Sequence, residues 1–430
     1  MNDIAHILYY FYRAKWRESS FHTREELTQW QNDNLRSFKQ KILCHSPFYQ
    51  PYLQQEFTDF PLMNKQKMME NFDEINTAKI KKMDAMRVAL EAERTRDFTP
   101  MIQDYTVGLS SGTSGQRGVF LASRRERLAW AGIILAKALP QSIFKKQKIA
   151  FFLRANSNLY TTLSKHQRIE FMFFDLTQPI ASQWQMLHSY SPDVLVAPAS
   201  ILKFITQAQE DGMINITPQR IFSVAEVLDP SDEIYIETVF GQKVHQIYQC
   251  TEGFLGIANS QGKIYLNEEY LYIEKEWLDK KSGRFIPIIT DYSRHTQPIV
   301  RYRLDDILIE DKRYSGVFTC VKAIEGRCDD IFYFRKNEGG HAPIFPEALR
   351  QLMNASSLPF DEYQLIQTSL DNVEVGMQPP PSDTEKLMFS ALFNDFCRRQ
   401  SCRAPTISYI TYQPPAPTMK LRRIVRPFSI

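Results

Sequence analysis

The chain predicts an α/β fold, with a large N-terminal domain of mixed and parallel sheets flanked by helices and a small α+β C-terminal domain. Three observations carry that expectation. From Lys148 onward short apolar runs alternate with amphipathic stretches, the rhythm of a parallel sheet. Near Lys263 the rhythm changes to strand-like runs set close together with turn residues between them. Beyond Asp330 a Gly339–Gly340 turn opens a further short α+β stretch that includes the proline-rich segment 414–417. At 430 residues the chain also exceeds the size at which a single core usually stops growing.

Taken in order, residues 1–76 read as a helical cap over the main sheet. Leu27, Trp30, Leu35, Phe38 and Ile42 fall near one face at helical spacing, and Thr23 with Glu26 predicts a capping box. Pro47 and Pro51 then break the pattern. The runs Ile149–Leu153, Phe171–Phe174, Val194–Ala197 and Ile221–Ala225 predict parallel strands. Asp229 before Pro230 predicts a helix start, with a side-chain cap and proline at the first helical position. Lys263–Leu266, Leu271–Ile273, Phe285–Ile289 and Ile299–Tyr302 predict antiparallel strands, with a turn at Lys281–Gly283. Pro379–Pro381 reads as a surface loop, and no internal repeat is visible.

A hydrophobic fraction of 43% and a charged fraction of 23% belong to an ordinary globular protein. The net charge of +3 is small and the basic residues are dispersed, so nucleic acid is not implied. The densest basic cluster is Lys420, Arg422, Arg423 and Arg426, for which a solvated tail is the ordinary reading. Six cysteines lack CxxC pairs or zinc-ligand spacing and suit reduced thiols in a cytoplasmic protein. The apolar runs fall well short of the ~20 residues a spanning helix needs, and the N-terminus does not read as a signal peptide.

Four segments carry chemistry. Leu109–Gly118 (LSSGTSGQRG) combines glycines that let a backbone approach phosphate with hydroxyls that donate to it, although a flexible connector has the same composition. Tyr248–Gly253 (YQCTEG) follows a strand-like run, where a carboxylate can hold Mg²⁺ and a threonine hydroxyl can reach phosphate; a polar turn looks alike. Arg301–Asp306 (RYRLDD) ends in a carboxylate able to accept two ribose hydroxyls, and Gly326–Asp330 (GRCDD) is the fourth. Surface strands and solvated turns are their bland counterparts.

In order and spacing the four segments resemble the adenylate-forming superfamily of acyl-CoA synthetases, adenylation domains and luciferases, from about Ser46 to the C-terminus. Ser46–Tyr49, Pro61, Ser223–Leu228 and Gln297–Arg303 look like its phenylacetate–CoA ligase and coenzyme F390 synthetase branch. The resemblance implies ATP and Mg²⁺. Ser110, Ser111, Gly112, Thr113, Ser114 and Gly115 would form the phosphate loop. Ala225 and Glu226 would lie beside adenine and Tyr248 would stack on it. Thr251 would touch the α-phosphate, Glu252 would hold Mg²⁺, and Asp306 would bind ribose with Arg327 assisting. Asp329 matches the hinge between residues 1–328 and a mobile lid, 329–430. Lys420 matches the late catalytic lysine, although Met419 stands where the family has glycine, and Leu304–Asp305 replaces its Thr-Gly. Relatives with a zinc site carry Cys and His where Gly256–Glu269 has neither, so no zinc is expected.

The resemblance implies adenylation of a small carboxylic acid with pyrophosphate release, then transfer to a thiol of CoA or a carrier protein, and it allows a homodimer. Adenylyl transfer to a phenolic or enolic hydroxyl and non-catalytic nucleotide binding stay open beside it. So does the acid: Phe151–Phe152 and Phe171–Phe174 suit either an apolar pocket or buried strands. His166, His188, His245 and His295 have no spacing that singles out a base.

Overall fold

The computed structural model of the chain describes residues 3–95, 97, 99–110, 117–153, 168–356, 358–415 and 420–428. The N-terminal part holds helices α1 (Asp3–Glu18), α2 (Arg24–Lys41), α3 (Lys65–Glu70), α4 (Phe72–Ile75) and α5 (Lys82–Thr95). The capping box at Thr23 and Glu26 is present. α2 is fastened to the later sheet by Arg24, whose guanidinium donates to both oxygens of buried Glu268 at 2.8 and 2.7 Å. Such a bidentate pair fixes orientation as well as distance.

A three-stranded antiparallel sheet of β1 (Met101–Ile102), β2 (Tyr105–Leu109) and β3 (Val119–Ser123) precedes α6 (Arg124–Ala138). Ser123 and Glu126 cap α6 reciprocally. α1 packs along α6, and at Gly132 the approach is so close that a Cβ would lie 2.6 Å from the Ile7 carbonyl oxygen and 2.9 Å from the Phe11 nitrogen.

Among the described residues the central sheet has twelve strands. β4 (Gln147–Leu153), β5 (Ile169–Asp175), β6 (Val194–Pro198), β7 (Arg220–Val224) and β8 (Val244–Cys250) are parallel, in the order β5-β4-β6-β7-β8. The four apolar runs of the sequence all fall in these strands. Helices α7 (Trp184–Tyr190), α8 (Ala199–Glu210) and α9 (Pro230–Phe240) cross between them, and Asp229 caps α9 ahead of Pro230. Strands covered on both faces need apolar residues at successive positions. Phe152 and Phe174 accordingly stack at 4.4 Å inside one core, while Phe151 is buried in a second core against which half-buried Phe171 and Phe173 pack, so the phenylalanine runs are strands of the core sheet.

After β8 the sheet turns antiparallel. β9 (Gly253–Ala258), β10 (Ile264–Leu266), β11 (Leu271–Asp279), β12 (Arg284–Asp291), β13 (Ile299–Arg303), β14 (Asp306–Glu310) and β15 (Cys320–Arg327) lie in the order β9-β10-β15-β14-β12-β11, with β13 joining β12.

Beyond it, β16 (Phe332–Arg335) and β17 (His341–Ile344) form a hairpin whose Gly339 and Gly340 take φ of 95° and 77°, a conformation that favours glycine. α10 (Pro346–Ala355), β18 (Glu362–Ser369), β19 (Asn372–Gln378), α11 (Asp383–Arg399), β20 (Thr406–Thr411) and β21 (Ile424–Val425) follow, with sheet order β20-β19-β18-β21. Phe332, Phe334, Leu365, Phe389 and Phe393 give this part a core of its own.

The basic C-terminus is not a solvated tail. β21 pairs in parallel with β18, Arg423 donates to Asp232 at 2.8 Å and to Glu362 at 3.0 Å, and Arg422 meets Asp329 at 3.1 Å and also Asp330. Arg426 donates to the Ile331 carbonyl at 2.7 Å. Among the described residues no helix is long and apolar enough to cross a membrane.

Gly132→Ala tests the α1–α6 contact. Alanine is favoured inside a helix by about 0.5–1 kcal/mol, whereas overpacking costs about 1–3 kcal/mol. The crowding here includes backbone atoms, which cannot swing aside, so urea unfolding is expected to show a net loss of about 1–2 kcal/mol. A gain in stability would show that α1 is not held at this distance.

Candidate active site

A cavity of about 900 Å³ opens at the C-terminal ends of β6, β7 and β8, where the parallel half of the sheet meets the antiparallel half. Open α/β sheets bind ligands outside the carboxyl ends of their parallel strands, and this cavity lies at that edge. Ser110, Ala225, Glu226, Tyr248, Thr251, Glu252, Asp306, Arg327 and Lys420 all line it. Ser111, Gly112, Thr113, Ser114 and Gly115 lie outside the described residues. Asp329 stands behind the wall, paired with Arg327 and Arg422 at 3.1 Å each.

Thr251 and Glu252 occupy the tight turn between β8 and β9. Tyr248, buried two residues before the end of β8, donates its hydroxyl to Asp306 Oδ2 at 2.8 Å. Burial raises the Asp306 carboxyl, while the Tyr248 hydroxyl and the charges of Arg327 and Lys420 pull it back. Lys420 therefore sits within electrostatic reach of Asp306, at the same cavity. Arg327 reaches Asp305 Oδ2 at 3.1 Å. Ser110 clasps the base of its loop: its N–H donates to the Gly118 carbonyl and its Oγ accepts from the Gly118 N–H, both at 2.8 Å.

Ala225 turns the chain out of β7 with a φ of 66°, an uncommon conformation for a residue with a side chain. That turn aims Glu226 across the cavity. Its Oε2 accepts from the Ser200 N–H at 3.1 Å and hydroxyl at 2.7 Å, and its Oε1 accepts from the Leu421 N–H at 3.2 Å. Glu226 thus ties the segment carrying Lys420 to the start of α8.

Four further wall residues, Lys65, Glu126, Arg294 and Asp291, belong to none of the four segments above. Lys65 lies beside the loop base, since a Cβ on Gly118 would sit 3.3 Å from its Cε. Burial lowers its ammonium pKa and nearby Glu252 opposes that shift. Glu126 is half-buried and its partial desolvation disfavours the charge, yet Arg294 and hydrogen bonds from Ser123 and Thr296 hold its carboxyl below the ordinary value. It also accepts the His295 and Thr296 N–H groups at 2.7 and 3.0 Å. Arg294, in the loop after β12, donates to the Thr251 carbonyl at 3.2 Å and the Leu121 carbonyl at 3.1 Å, and Asp291 is the last residue of β12. Only Glu126 had a readable signal, the capping spacing Ser123-x-x-Glu126.

None of the described histidines lines the cavity. His188 accepts the Asn215 N–H at 3.0 Å, and burial lowers the pKa of both His245 and His295. His166 lies outside the described residues.

No family model matches the chain. Over 136 residues it is 29% identical to an indoleacetate–lysine synthetase of Pseudomonas savastanoi, a match covering 31% of this chain and 33% of that protein. Solved structures match far more of it. A 2-hydroxyisobutyryl-CoA ligase, in the postadenylation state with 2-HIB-AMP, superposes with a TM-score of 0.63 at 15% identity, over 93% of this chain and 88% of the ligase. The amide bond synthetase McbA from Marinactinospora thermotolerans gives a TM-score of 0.54 at 11% identity, over 75% and 67%. An anthranilate CoA ligase in complex with anthranoyl-AMP gives 0.52 at 12% identity, over 73% and 65%.

Asp291 makes the site sensitive to pH. Burial lifts its carboxyl to about 6, against the Ser293 hydrogen bonds and the Arg294 charge that lower it and the Glu126 charge that raises it further. The unfolded chain releases this proton near pH 3.9. Between these values the folded chain binds more protons than the unfolded one, so this contribution to stability falls as pH rises from about 4 to about 6, by about 3 kcal/mol. Asp291→Asn is expected to remove that fall: the difference in unfolding free energy between wild type and variant should change across this window. A constant difference would contradict the assignment.

Proposed function

We propose that this chain, which has the fold of the adenylate-forming ligases, activates a carboxylic acid with ATP. An acyl-adenylate forms, pyrophosphate leaves, and the acyl group passes to a thiol of coenzyme A or of a carrier protein. The observation that carries this reading is the convergence of Glu252, Asp306 and Lys420 on one cavity although they come from distant parts of the chain. Two of the similar solved structures are CoA ligases, each with an adenylate of its acid bound, and a third is an amide bond synthetase.

The residues divide the work by charge. Asp306, supported by Tyr248, accepts the ribose hydroxyls, and Arg327 steadies that end. Thr251 donates its hydroxyl to the α-phosphate. The Glu252 carboxylate fits a divalent cation: among the described residues no cluster of three or more metal-ligating side chains gathers, so its other ligands would be phosphate oxygens and water. When bound, Mg²⁺ neutralises developing charge on the phosphates. Lys65 stands beside the loop base and Glu252, suited to the departing pyrophosphate, and Lys420 bridges the carboxylate and α-phosphate. Little proton transfer is needed. Positioning and charge stabilisation account for the catalysis.

Residues 329–430 act as the lid in this reading, with Asp329 at the hinge. The contacts of Arg423 with Asp232 and of the Leu421 N–H with Glu226 described above hold it in the position that delivers Lys420, and they must open before the thiol step.

Pyrophosphate release from MgATP across a panel of aryl, fatty and amino acids tests the proposal. Release should depend on the acid and fall about 10²–10³-fold in Glu252→Ala and in Lys420→Ala. No release with any acid, while ATP still binds, would sink the reading.

A further inference from the structure

Gly253, Leu271 and Asp291 form one stretch of the cavity wall. A Cβ on Gly253 would lie 3.4 Å from Asp291 Oδ2 and 3.7 Å from Leu271 Cδ2, and Leu271 is the cross-strand partner of Asp291. Trp130 and Ile133 of α6 and Phe254 of β9 extend the same lining with apolar surface.

Within this setting Asp291 is 5% exposed. Its Oδ1 is occupied, accepting the Ser293 N–H at 2.8 Å and hydroxyl at 2.5 Å. Among the described residues no hydrogen bond reaches Oδ2. A carboxylate oxygen that faces a cavity loses its solvent as the cavity fills, so whatever fills it must supply a donor or bear the cost of leaving that oxygen unmatched.

Charge points the same way. Glu126 and Asp291 line the cavity with Arg294 as their neighbouring cation, and both terminal nitrogens of Arg294 are committed to the Thr251 and Leu121 carbonyls. Two carboxylates against one guanidinium leave this stretch of wall with a surplus negative charge. Gly253 keeps Oδ2 uncovered, because any larger residue would place a side chain over it.

We propose that Asp291 Oδ2 receives a hydrogen-bond donor carried by the substrate acid, so that the preferred acids have an apolar body bearing an amino or hydroxyl group. This rests on the reading that an acid occupies the cavity. Asp291 then acts in specificity: an acid that lacks the donor leaves Oδ2 buried and unmatched, and is rejected for that reason. The surplus charge ranks an ammonium above a hydroxyl.

The test uses the full chain and matched acids: 2-, 3- and 4-amino- and hydroxyphenylacetates and α-amino and α-hydroxy acids, each against its methyl isostere. Calorimetric binding is read first and acid-dependent pyrophosphate release second, for wild type, Asp291→Asn, Asp291→Leu and Gly253→Ala. Wild type should favour at least one donor-bearing acid over its isostere by about 100-fold or more. Asp291→Asn should lose mainly the amino acids of the set, Asp291→Leu should remove or reverse the preference, and Gly253→Ala should weaken it while folding normally. Equal binding within every pair, binding of neither member, or a preference that survives Asp291→Leu overturns the proposal. Equal binding together with Glu252-dependent pyrophosphate release would overturn it while leaving the adenylation reading intact. A preference without release would do the reverse.

Discussion

The seam between β8 and β9 is the constraint on which the rest of this structure depends. β8 pairs in parallel with β7 on one side and antiparallel with β9 on the other, so the chain must reverse within Cys250–Gly253. That reversal does two things at once. It ends the parallel half of the sheet at the cavity, and it presents Thr251 and Glu252 at the cavity's edge. The other wall residues come to the same cavity from helices and loops as well as strands, among them Lys65, Glu126 and Lys420.

A second constraint closes the cavity from the far end of the chain. β21 is two residues long and contributes little pairing of its own. Its position is held by charge instead: Arg423 joins Asp232 of the parallel half to Glu362 of the C-terminal sheet, and Lys203 meets the same two carboxylates at 3.6 and 2.9 Å. Two cations and two carboxylates balance, which limits the penalty of burying them. Such a cluster opposes partial displacement, since each charge that loses its partner stays desolvated. It therefore suits a part that is either seated or released, and Glu226 adds a neutral N–H donor from Leu421 to the same seat.

At the cavity wall one half-buried carboxylate organises the segments around it. Glu126 caps α6, receives the His295 and Thr296 N–H groups and sits in the field of Arg294. Through these contacts it sets the loop after β12 against the β8–β9 turn, where Arg294 reaches the Thr251 carbonyl. The geometry of Thr251 and Glu252 is thus supported from behind by residues that belong to none of the four chemistry-bearing segments.

Local pattern determined much of this protein. The apolar runs of β4 to β7, the caps at Thr23 and Asp229, the turn at Gly339–Gly340 and the four chemistry-bearing segments are all legible in order along the chain, because each depends on neighbours a few residues away. The sequence by itself also set which residue types stand at the ends of those strands. What it left open were choices between equal local patterns: whether the phenylalanine runs line a pocket or a core, and whether Lys420 to Arg426 form a tail or a seated strand. Only the tertiary structure decided these. Burial on both faces made the phenylalanines core, and the carboxylates Asp232, Asp329, Asp330 and Glu362, remote in sequence, gave the arginines partners. Likewise Asp291, Glu126 and Arg294 acquire meaning only when β12, α6 and the β8–β9 turn are brought together, since the forces that define them act across space and leave no period in the sequence.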